Sequence, residues 1–371
     1  MFLLPFMLGL ALFQWSVMGP IAIAENEIVR LSDQTVITRE AMIDRLASHR
    51  VVLVGETHDH PDHHRIQLAV IQGLHARGVE MAVSLEMFPD HLQPHLDRWV
   101  AGELSEAAFL DAVEWYFTWG FDINLYWPIL RYAKEQRIPL LAMNLRRETV
   151  SAVRKRGLAG VEMEIRDALP PLCPAPLAYR LRLEEVFNAH PMMSHGGHFD
   201  HFVEAQGVWD GVMADRIKKW SDAHPQGLVV GLVGAGHVYM GHGIPHQLRG
   251  RGVTGVAILL PWSGEEAMLD RDAADFAWGT PPAPDTPPPT QLGITMDDQQ
   301  KEGVRVQSVL DDSLAAKAGL RPRDRITRFN AHPLPTRHAL VRLVRSLSPG
   351  EGVVLQVERE GKEEEIRIPM P

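Results

Sequence analysis

The stretch Val51-Val52-Leu53-Val54 is followed directly by Gly55-Glu56-Thr57-His58, and a second apolar run, residues 228–233, is followed by Gly234-Ala235-Gly236-His237. Apolar runs of this length, rich in β-branched residues, are typical of fully buried strands in a parallel sheet. In open α/β sheets, ligands bind just beyond the carboxyl ends of the strands. We therefore expect the two histidines to lie together at one edge of one sheet.

Two further apolar runs end in polar residues. Residues 81–85 lead into Glu86, and residues 138–143 lead into Asn144. Two histidines and two carboxylates are sufficient to bind a divalent cation or to activate a water molecule. The candidate metal ligands, which would also be the catalytic residues of a hydrolase, are Glu56, His58, Glu86 and His237. The alternative is a purely structural role, in which Glu56 and His237 form a hydrogen bond to each other.

The order of elements predicts two domains. In residues 27–279, strand and helix signals alternate, which is typical of an α/β fold with a mostly parallel sheet and helices on both faces. Residues 280–290 contain six prolines in eleven positions, a composition that makes an extended spacer. Residues 291–371 form a small domain that is β-rich at both ends.

Composition restricts the partners and the compartment. The chain has 371 residues, a net charge of −10 and no basic stripe, which argues against a nucleic-acid partner. Residues 1–24 are apolar and end in Ala22-Ile23-Ala24, the pattern of a cleaved secretory signal. They predict an exported, periplasmic or envelope-associated protein; an uncleaved anchor helix is the alternative. The one cysteine, Cys173, excludes a disulfide framework, and no lipid-acceptor cysteine follows the signal.

Other histidines give weaker signals. In the run from His58 to His64, a helix start with surface histidines explains His60, His63 and His64 at least as well as a ligand set does. A second group, at positions 195, 198 and 201, is spaced by three, and we predict no dedicated metal site there.

Several residues are candidates for binding a planar, acidic ligand. Arg147 follows the strand that ends at Asn144 and can hold a carboxylate or propionate bidentately; a helix start with solvated charges fits equally well. Residues 115–127 are rich in aromatic side chains. One interpretation is a flat apolar surface that contacts a planar ligand or a second protomer. The other, which we favour slightly, is a helix pair packed on the sheet. Tyr239 is the best-placed tyrosine for a haem iron.

The small domain carries a recognisable set of motifs. The segments Gln291-Leu292-Gly293-Ile294, 315–320 (Ala-Ala-Lys-Ala-Gly-Leu) and Asp324-Arg325-Ile326 together resemble a bacterial PDZ domain. The resemblance implies that the backbone around Leu292, Gly293 and Ile294 binds the C-terminus of a peptide, here of an envelope protein, as an added strand. Arg323 departs from the family, which usually has glycine before the aspartate, and Leu314 stands where proline is common.

The motifs of the large domain form an ordered set. They are residues 55–59 (Gly-Glu-Thr-His-Asp), 85–88 (Leu-Glu-Met-Phe), 144–147 (Asn-Leu-Arg-Arg), 206–214 and 234–238 (Gly-Ala-Gly-His-Val). They resemble the ChaN family, within a superfamily that includes the Tiki proteases and erythromycin-esterase-like enzymes. The resemblance implies an exported haem-binding protein for haem or iron uptake, and it raises the expectation of a homodimer.

Three functions remain open at this point. The first is haem binding, with His58, His237, Tyr239 and Arg147 as candidate cofactor-binding residues. The second is a metal-dependent peptidase or esterase, which the superfamily implies. The third is a non-enzymatic scaffold whose PDZ-like domain recruits an envelope protein. The residues alone leave open whether the chain is an enzyme.

Overall fold

A computed structural model describes residues 19–189, 198–263, 268–286, 288–297, 303–348 and 350–369. The strands of the large domain are β1 (Ile28–Arg30), β2 (Thr35–Val36), β3 (Val51–Glu56), β4 (Met81–Pro89), β5 (Leu140–Asn144), β6 (Leu228–Gly234), β7 (Val256–Ser263) and β8 (Phe276–Thr280). The last of these ends on the first residue of the predicted proline spacer.

The eight strands form one sheet in the order β2-β1-β8-β7-β3-β6-β4-β5. The six strands from β8 to β5 in this order pair in parallel, whereas β1 pairs antiparallel with β2 and β8. The expected mostly parallel α/β sheet is therefore confirmed. The two central strands β3 and β6 are buried throughout, and Glu56 pairs with Gly234 in their register. This pairing brings the two motifs side by side.

Helices cover both faces of the sheet because successive side chains of each strand point to opposite sides. Val52 and Val54 pack into the core on one face, with Val70 of a flanking helix. Leu53 packs into the core on the other face, with Ile217. The helices among the described residues are Arg39–Leu46, Pro61–His75, Gln93–Val100, Glu106–Val113, Trp115–Thr118, Trp127–Gln136, Arg147–Arg156, Met163–Ala168, Leu177–Ala189, Phe199–Ala223 and Ile244–Gly250. Short 3₁₀ turns lie at Asp90–Leu92, Ile123–Leu125, Leu158–Gly160, Ala235–His237 and Tyr239–Gly241.

The last residues of the predicted signal pack against the large domain. Ile21 forms an antiparallel bridge with Leu269, and Ile23 is buried. Cleavage after Ala24 would remove these contacts, and the cleavage site stays a prediction. In the part of the chain described, no helix combines the length and the apolar character needed to cross a bilayer.

The small domain is an antiparallel sheet with two helices. Its strands are β9 (Ile294–Met296), β10 (Val304–Val309), β11 (Arg325–Phe329), β12 (His332–Pro333), β13 (Val353–Arg359) and β14 (Lys362–Ile368), and its helices are Leu314–Lys317 and Arg337–Arg345. The strand order β14-β13-β11-β10-β9 leaves β9 at an edge. Arg323, which departs from the family's glycine, has a φ of 76°. This is the left-handed region that glycine favours.

Candidate functional site

The site is built where β3 and β6 end side by side. A Cβ atom on Gly234 would lie 3.0 Å from Cε1 of His58 and 3.6 Å from Oε2 of Glu86. The motif therefore needs glycine at this position so that the backbone of β6 can approach both side chains. In this way the structure brings the imidazole of His58 and the carboxylate of Glu86 to the same point on β6.

His58 is held by a buried carboxylate. Its Nδ1 atom lies 2.8 Å from Oε1 of Glu56, and the side chain of Glu56 is fully buried. The other carboxylate oxygen, Oε2, accepts a hydrogen bond of 2.8 Å from Nε2 of Gln67 and lies 3.1 Å from Nδ1 of His64. Since a carboxylate accepts hydrogen bonds only, this arrangement favours the tautomer of His58 that carries its proton on Nδ1.

The Nε2 atom of His58 is consequently available. It has no hydrogen-bond partner within the residues described, and about 29% of the side chain is exposed. Burial lowers the pKa of His58, but the hydrogen bond to Glu56 and the charges of Glu86 and Glu56 outweigh it, so that the net shift is upward. A histidine whose Nδ1 proton is fixed by a carboxylate is the usual arrangement of a metal-ligating histidine.

The interpretation of His60, His63 and His64 as surface histidines is wrong, since all three side chains are buried. His60 forms the N-cap of helix Pro61–His75 by accepting from the backbone N–H of Asp62. His63 accepts from the backbone N–H of Thr57 through Nδ1. These bonds satisfy the backbone of the turn after β3, so the histidines fix the loop that carries His58.

His237 lies in a second buried chain of polar groups. Its Nδ1 atom is 2.6 Å from Oδ1 of Asp210, and its Nε2 atom is 3.4 Å from Oε1 of Glu86. Asp210 also accepts a hydrogen bond of 2.7 Å from the hydroxyl of Tyr179. Oε2 of Glu86 accepts a bond of 2.6 Å from the backbone N–H of Gly234. Both ring nitrogens of His237 are thus occupied.

The pKa shifts of His237 and Glu86 in this series of buried polar groups follow from its geometry. Burial lowers the pKa of His237, but Glu86 and Asp210 together outweigh burial and raise it to about 10. Burial raises the pKa of Glu86. The charge and hydrogen bond of His237, together with the backbone N–H of Gly234, outweigh burial, so that the net shift of the Glu86 pKa is downward. The two carboxylates therefore favour the imidazolium form of His237, in which neither ring nitrogen has a lone pair.

The structure pairs the predicted residues differently from the purely structural alternative. Glu56 binds His58, and His237 binds Glu86. Asp210 belongs to the motif at residues 206–214, and Tyr179 was not singled out. An aspartate in an apolar helical stripe was the one sequence signal for this partner.

The expectation of a divalent metal is not supported. Within the described residues, no group of three or more histidine, cysteine, aspartate or glutamate side chains is arranged to hold a metal ion. The physical reason is that their polar atoms are already bonded within the site. Glu56 bonds to Gln67 and His64, and His237 bonds to Glu86 and Asp210. The metal-dependent hydrolase, which needs such an ion, therefore gains no support from the geometry.

A cavity of about 430 Å³, a volume typical of ligand pockets, meets the two histidines through two tryptophans of its wall, and neither histidine is among the described residues that line it. Its walls include Trp119, whose ring centroid lies 4.7 Å from that of His58, and Trp209, whose centroid lies 4.8 Å from that of His237. The buried indole N–H of Trp209 has no hydrogen-bond partner in the described structure. Arg147 and Arg154 also line the cavity, which gives it aromatic walls and two cations.

A second cavity, of about 510 Å³, is lined by Asp59, the residue after His58. Phe121 lines it, and the ring centroid of Phe121 is 5.0 Å from that of His58. The remaining wall comes from the large domain, the proline spacer and the small domain, and it includes Asp59, Asp122 and Arg345. This cavity is therefore richer in carboxylates than the first.

The other predicted residues are distributed unevenly. Tyr239 lies beside the guanidinium of Arg182, and its role as an iron ligand stays a prediction. Of the aromatic residues at 115–127, three are buried in the core and the others are partly exposed. The three buried side chains fit the helix-packing alternative, and the surface for a planar ligand or a protomer stays a prediction. His195 lies outside the described residues.

Comparison with known proteins identifies the class. The family model described as "Haem-binding uptake, Tiki superfamily, ChaN" matches residues 42–248, more than half of the chain. This chain therefore belongs to the ChaN-type haem-binding uptake family of the Tiki superfamily. A PDZ domain model matches residues 290–370, which confirms the second resemblance.

A structural neighbour supports the fold of the large domain. ChaN of Campylobacter jejuni, whose structure is described as showing cofacial heme binding, has a TM-score of 0.56 and 20% sequence identity to this chain. The alignment covers 68% of this chain and 95% of that one. At this identity, the likeness establishes the fold alone.

Other relatives belong to another class of protein. Probable periplasmic serine endoproteases described as DegP-like, from Brucella suis and Brucella abortus, are 30% identical over 122 residues. The alignment covers 32% of this chain but only 23% of those proteins. The solved PDZ domain of HtrA3 bound to a phage-derived ligand has a TM-score of 0.19 and 25% identity, over 21% of this chain and 82% of that one.

Proposed function

We propose that this protein binds haem in a haem-uptake pathway and that His58 ligates the iron through Nε2. One observation carries the proposal. Of the two histidines at the strand ends, only His58 keeps a ring nitrogen free of hydrogen bonds within the described residues. Its other ring nitrogen is held by Glu56 at 2.8 Å. An imidazole whose Nδ1 proton is fixed is a common haem ligand, and the iron would displace the Nε2 proton that the raised pKa of His58 favours. His237, with both nitrogens bonded to carboxylates, is assigned a supporting role.

The cavity lined by Trp119 and Trp209 suits the porphyrin better than the cavity beside Phe121. A porphyrin is planar and apolar, and it carries two anionic propionates. Aromatic walls favour the plane, and Arg147 and Arg154 favour the propionates through charge-assisted hydrogen bonds. The carboxylates of Asp59 and Asp122 in the other cavity would repel those propionates.

The rest of the chain suggests where this haem binding operates. We assign it to the periplasm or envelope, on the basis of the apolar segment 1–24. The PDZ domain would bind the C-terminus of an envelope protein at Leu292, Gly293 and Ile294, where β9 is an open edge strand to which a peptide can add. A homodimer stays a prediction that light scattering with and without haem can test.

Titration with haemin tests the proposal. Wild-type protein is expected to give a saturable Soret shift at micromolar haemin. Loss of an outer partner of a metal-ligating histidine costs about 10- to 100-fold in affinity, so His58→Gln is expected to weaken binding by at least about 100-fold. The matched control is His332→Gln, at an exposed histidine of the small domain. Absence of a saturable shift in the wild type would refute the proposal.

A further inference from the structure

One short segment of the large domain contacts both the candidate haem site and the PDZ domain. This segment, residues 115–121, leaves the core at Trp115, which is fully buried. At its far end, Trp119 and Phe121 pack against the ring of His58. Between these points, Tyr116, Phe117 and Gly120 contact the PDZ helix Arg337–Arg345.

The contacts with the PDZ helix are specific and charged. Asp111 accepts two parallel hydrogen bonds of 2.9 Å from the guanidinium of Arg342, and it lies 2.9 Å from Nδ1 of His338. His338, which is fully buried, accepts through Nε2 from the backbone N–H of Tyr116 at 3.2 Å. Its Nδ1 must then carry the proton that Asp111 accepts.

A second contact fixes the segment near its end. The guanidinium of Arg345 donates a hydrogen bond of 2.8 Å to the carbonyl of Gly120 and lies 4.5 Å from the centroid of the Tyr116 ring. His338, Arg342 and Arg345 are spaced by four and three residues, so they form one face of the helix. The opposite face, with Leu340 and Val344, packs into the core of the PDZ domain.

We propose that the PDZ domain positions the wall of the haem site. Its helix holds residues 116–120 through Asp111, Tyr116 and Gly120, and this contact keeps Trp119 and Phe121 against His58. Arg342 and His338 are thus positioning residues for a ligand that they do not touch. This inference rests on the proposed function for the identity of the ligand, but the contact itself can be tested without haem.

The inference has a reciprocal consequence. If docking of the PDZ helix favours haem binding, haem binding must favour docking by the same factor. Haemin is then expected to slow amide exchange in residues 337–345, which lie outside the haem cavity. The two domains would behave as one binding unit and not as independent modules on a spacer.

The experiment compares Arg342→Gln with Arg367→Gln in the full chain. Arg367 is also in the PDZ domain, but its side chain is 79% exposed on β14. The first readout, in the haem-free protein, is the set of ¹H NMR chemical shifts of the His58 ring. These shifts depend on how close the aromatic rings of Trp119 and Phe121 lie. The second is the affinity for haemin. Residues that act through intermediates change binding by about 2- to 30-fold, and we expect a loss in this range for Arg342→Gln only.

Two further variants make the result decisive. Arg342→Lys keeps the charge without the parallel pair of bonds and should recover part of the loss. Arg345→Gln removes the bond to Gly120 and the contact with the Tyr116 ring but leaves the Asp111 pair intact, and it serves if Arg342→Gln unfolds. Unchanged His58 shifts in all of these variants would overturn the inference. A wild type that binds no haemin, with His58 shifts that still respond, would refute the proposed function and leave the positioning role intact.

Discussion

The Nδ1 atom of His237 lies 2.6 Å from Oδ1 of Asp210, and both side chains are buried. Glu86 flanks the other side of the ring, so that a positive charge is enclosed between two negative ones. Removal of any one of these partners would leave an uncompensated buried charge, which is strongly destabilising. The chain Tyr179–Asp210–His237–Glu86 therefore fixes the end of β6, against which His58 rests.

We predict that His237 remains doubly protonated at pH 8. Its pKa is raised to about 10 from an ordinary value of 6.5, so its contribution to folding is fully present below pH 6.5 and is lost as the pH rises through 10. The ¹⁵N shifts of the imidazole at pH 8 measure this directly. Shifts typical of a neutral ring would contradict the predicted charge.

His63 is predicted to behave in the opposite sense. Burial and the neighbouring His60 and His64 lower its pKa to about 3. Its stabilising effect is present above pH 6.5 and is lost as the pH falls from there towards 3, at about 1.4 kcal/mol per pH unit. His63→Asn, which keeps an acceptor for the N–H of Thr57, should lose less stability between pH 7 and pH 5 in urea unfolding. Identical pH profiles for the two proteins would argue against this.

The role of Arg147 can be separated from haem binding in general. Arg147→Gln is expected to weaken haemin binding by about 10- to 150-fold, because a hydrogen bond to a charged group contributes about 1.5–3 kcal/mol. Binding of haem dimethyl ester, which lacks the propionate charges, should be unaffected. Arg156→Gln is the control, since Arg156 lies on the same helix and pairs with Glu162. Equal losses for haemin and the ester would contradict the assignment.

Gly293 is predicted to be essential for the loop of the PDZ domain. Its φ is +79°, and a Cβ would lie 2.3 Å from Cβ of Ser313. Gly361 has a similar φ of +77° but open space around it, so comparison of Gly293→Ala with Gly361→Ala isolates the steric cost. We expect the larger fall in melting temperature for Gly293→Ala. Equal falls in both variants would mean that only the backbone conformation matters.

The central part of the fold was predictable because it depends on local patterns. The apolar runs at residues 51–54 and 228–233 are buried strands, and their glycines and histidines identify the edge of the sheet that carries the site. Strands β1 and β2 were not predicted, since they have only three and two residues, and β8, which pairs with β1, was not predicted either. Their pairing is a long-range property that no local pattern encodes.

The partners within the site were less predictable than its location. Asp210 lies in an apolar helical stripe, and only the crossing of its helix with the turn after β6 reveals its contact with His237. Tyr239 is two residues from His237 in sequence, but its ring lies against the guanidinium of Arg182. The histidines at positions 60, 63 and 64 resemble a solvated helix start, and they are buried because they satisfy the backbone around β3.

Replacement of the proposed iron ligand tests the central claim most directly. In haemin-loaded His58→Gly protein, the lost side chain leaves space at the ring position, and added imidazole should restore the wild-type absorption spectrum while leaving the wild-type protein itself unchanged. A His58→Gly variant with the wild-type spectrum before imidazole is added would contradict the assignment of His58 to the iron.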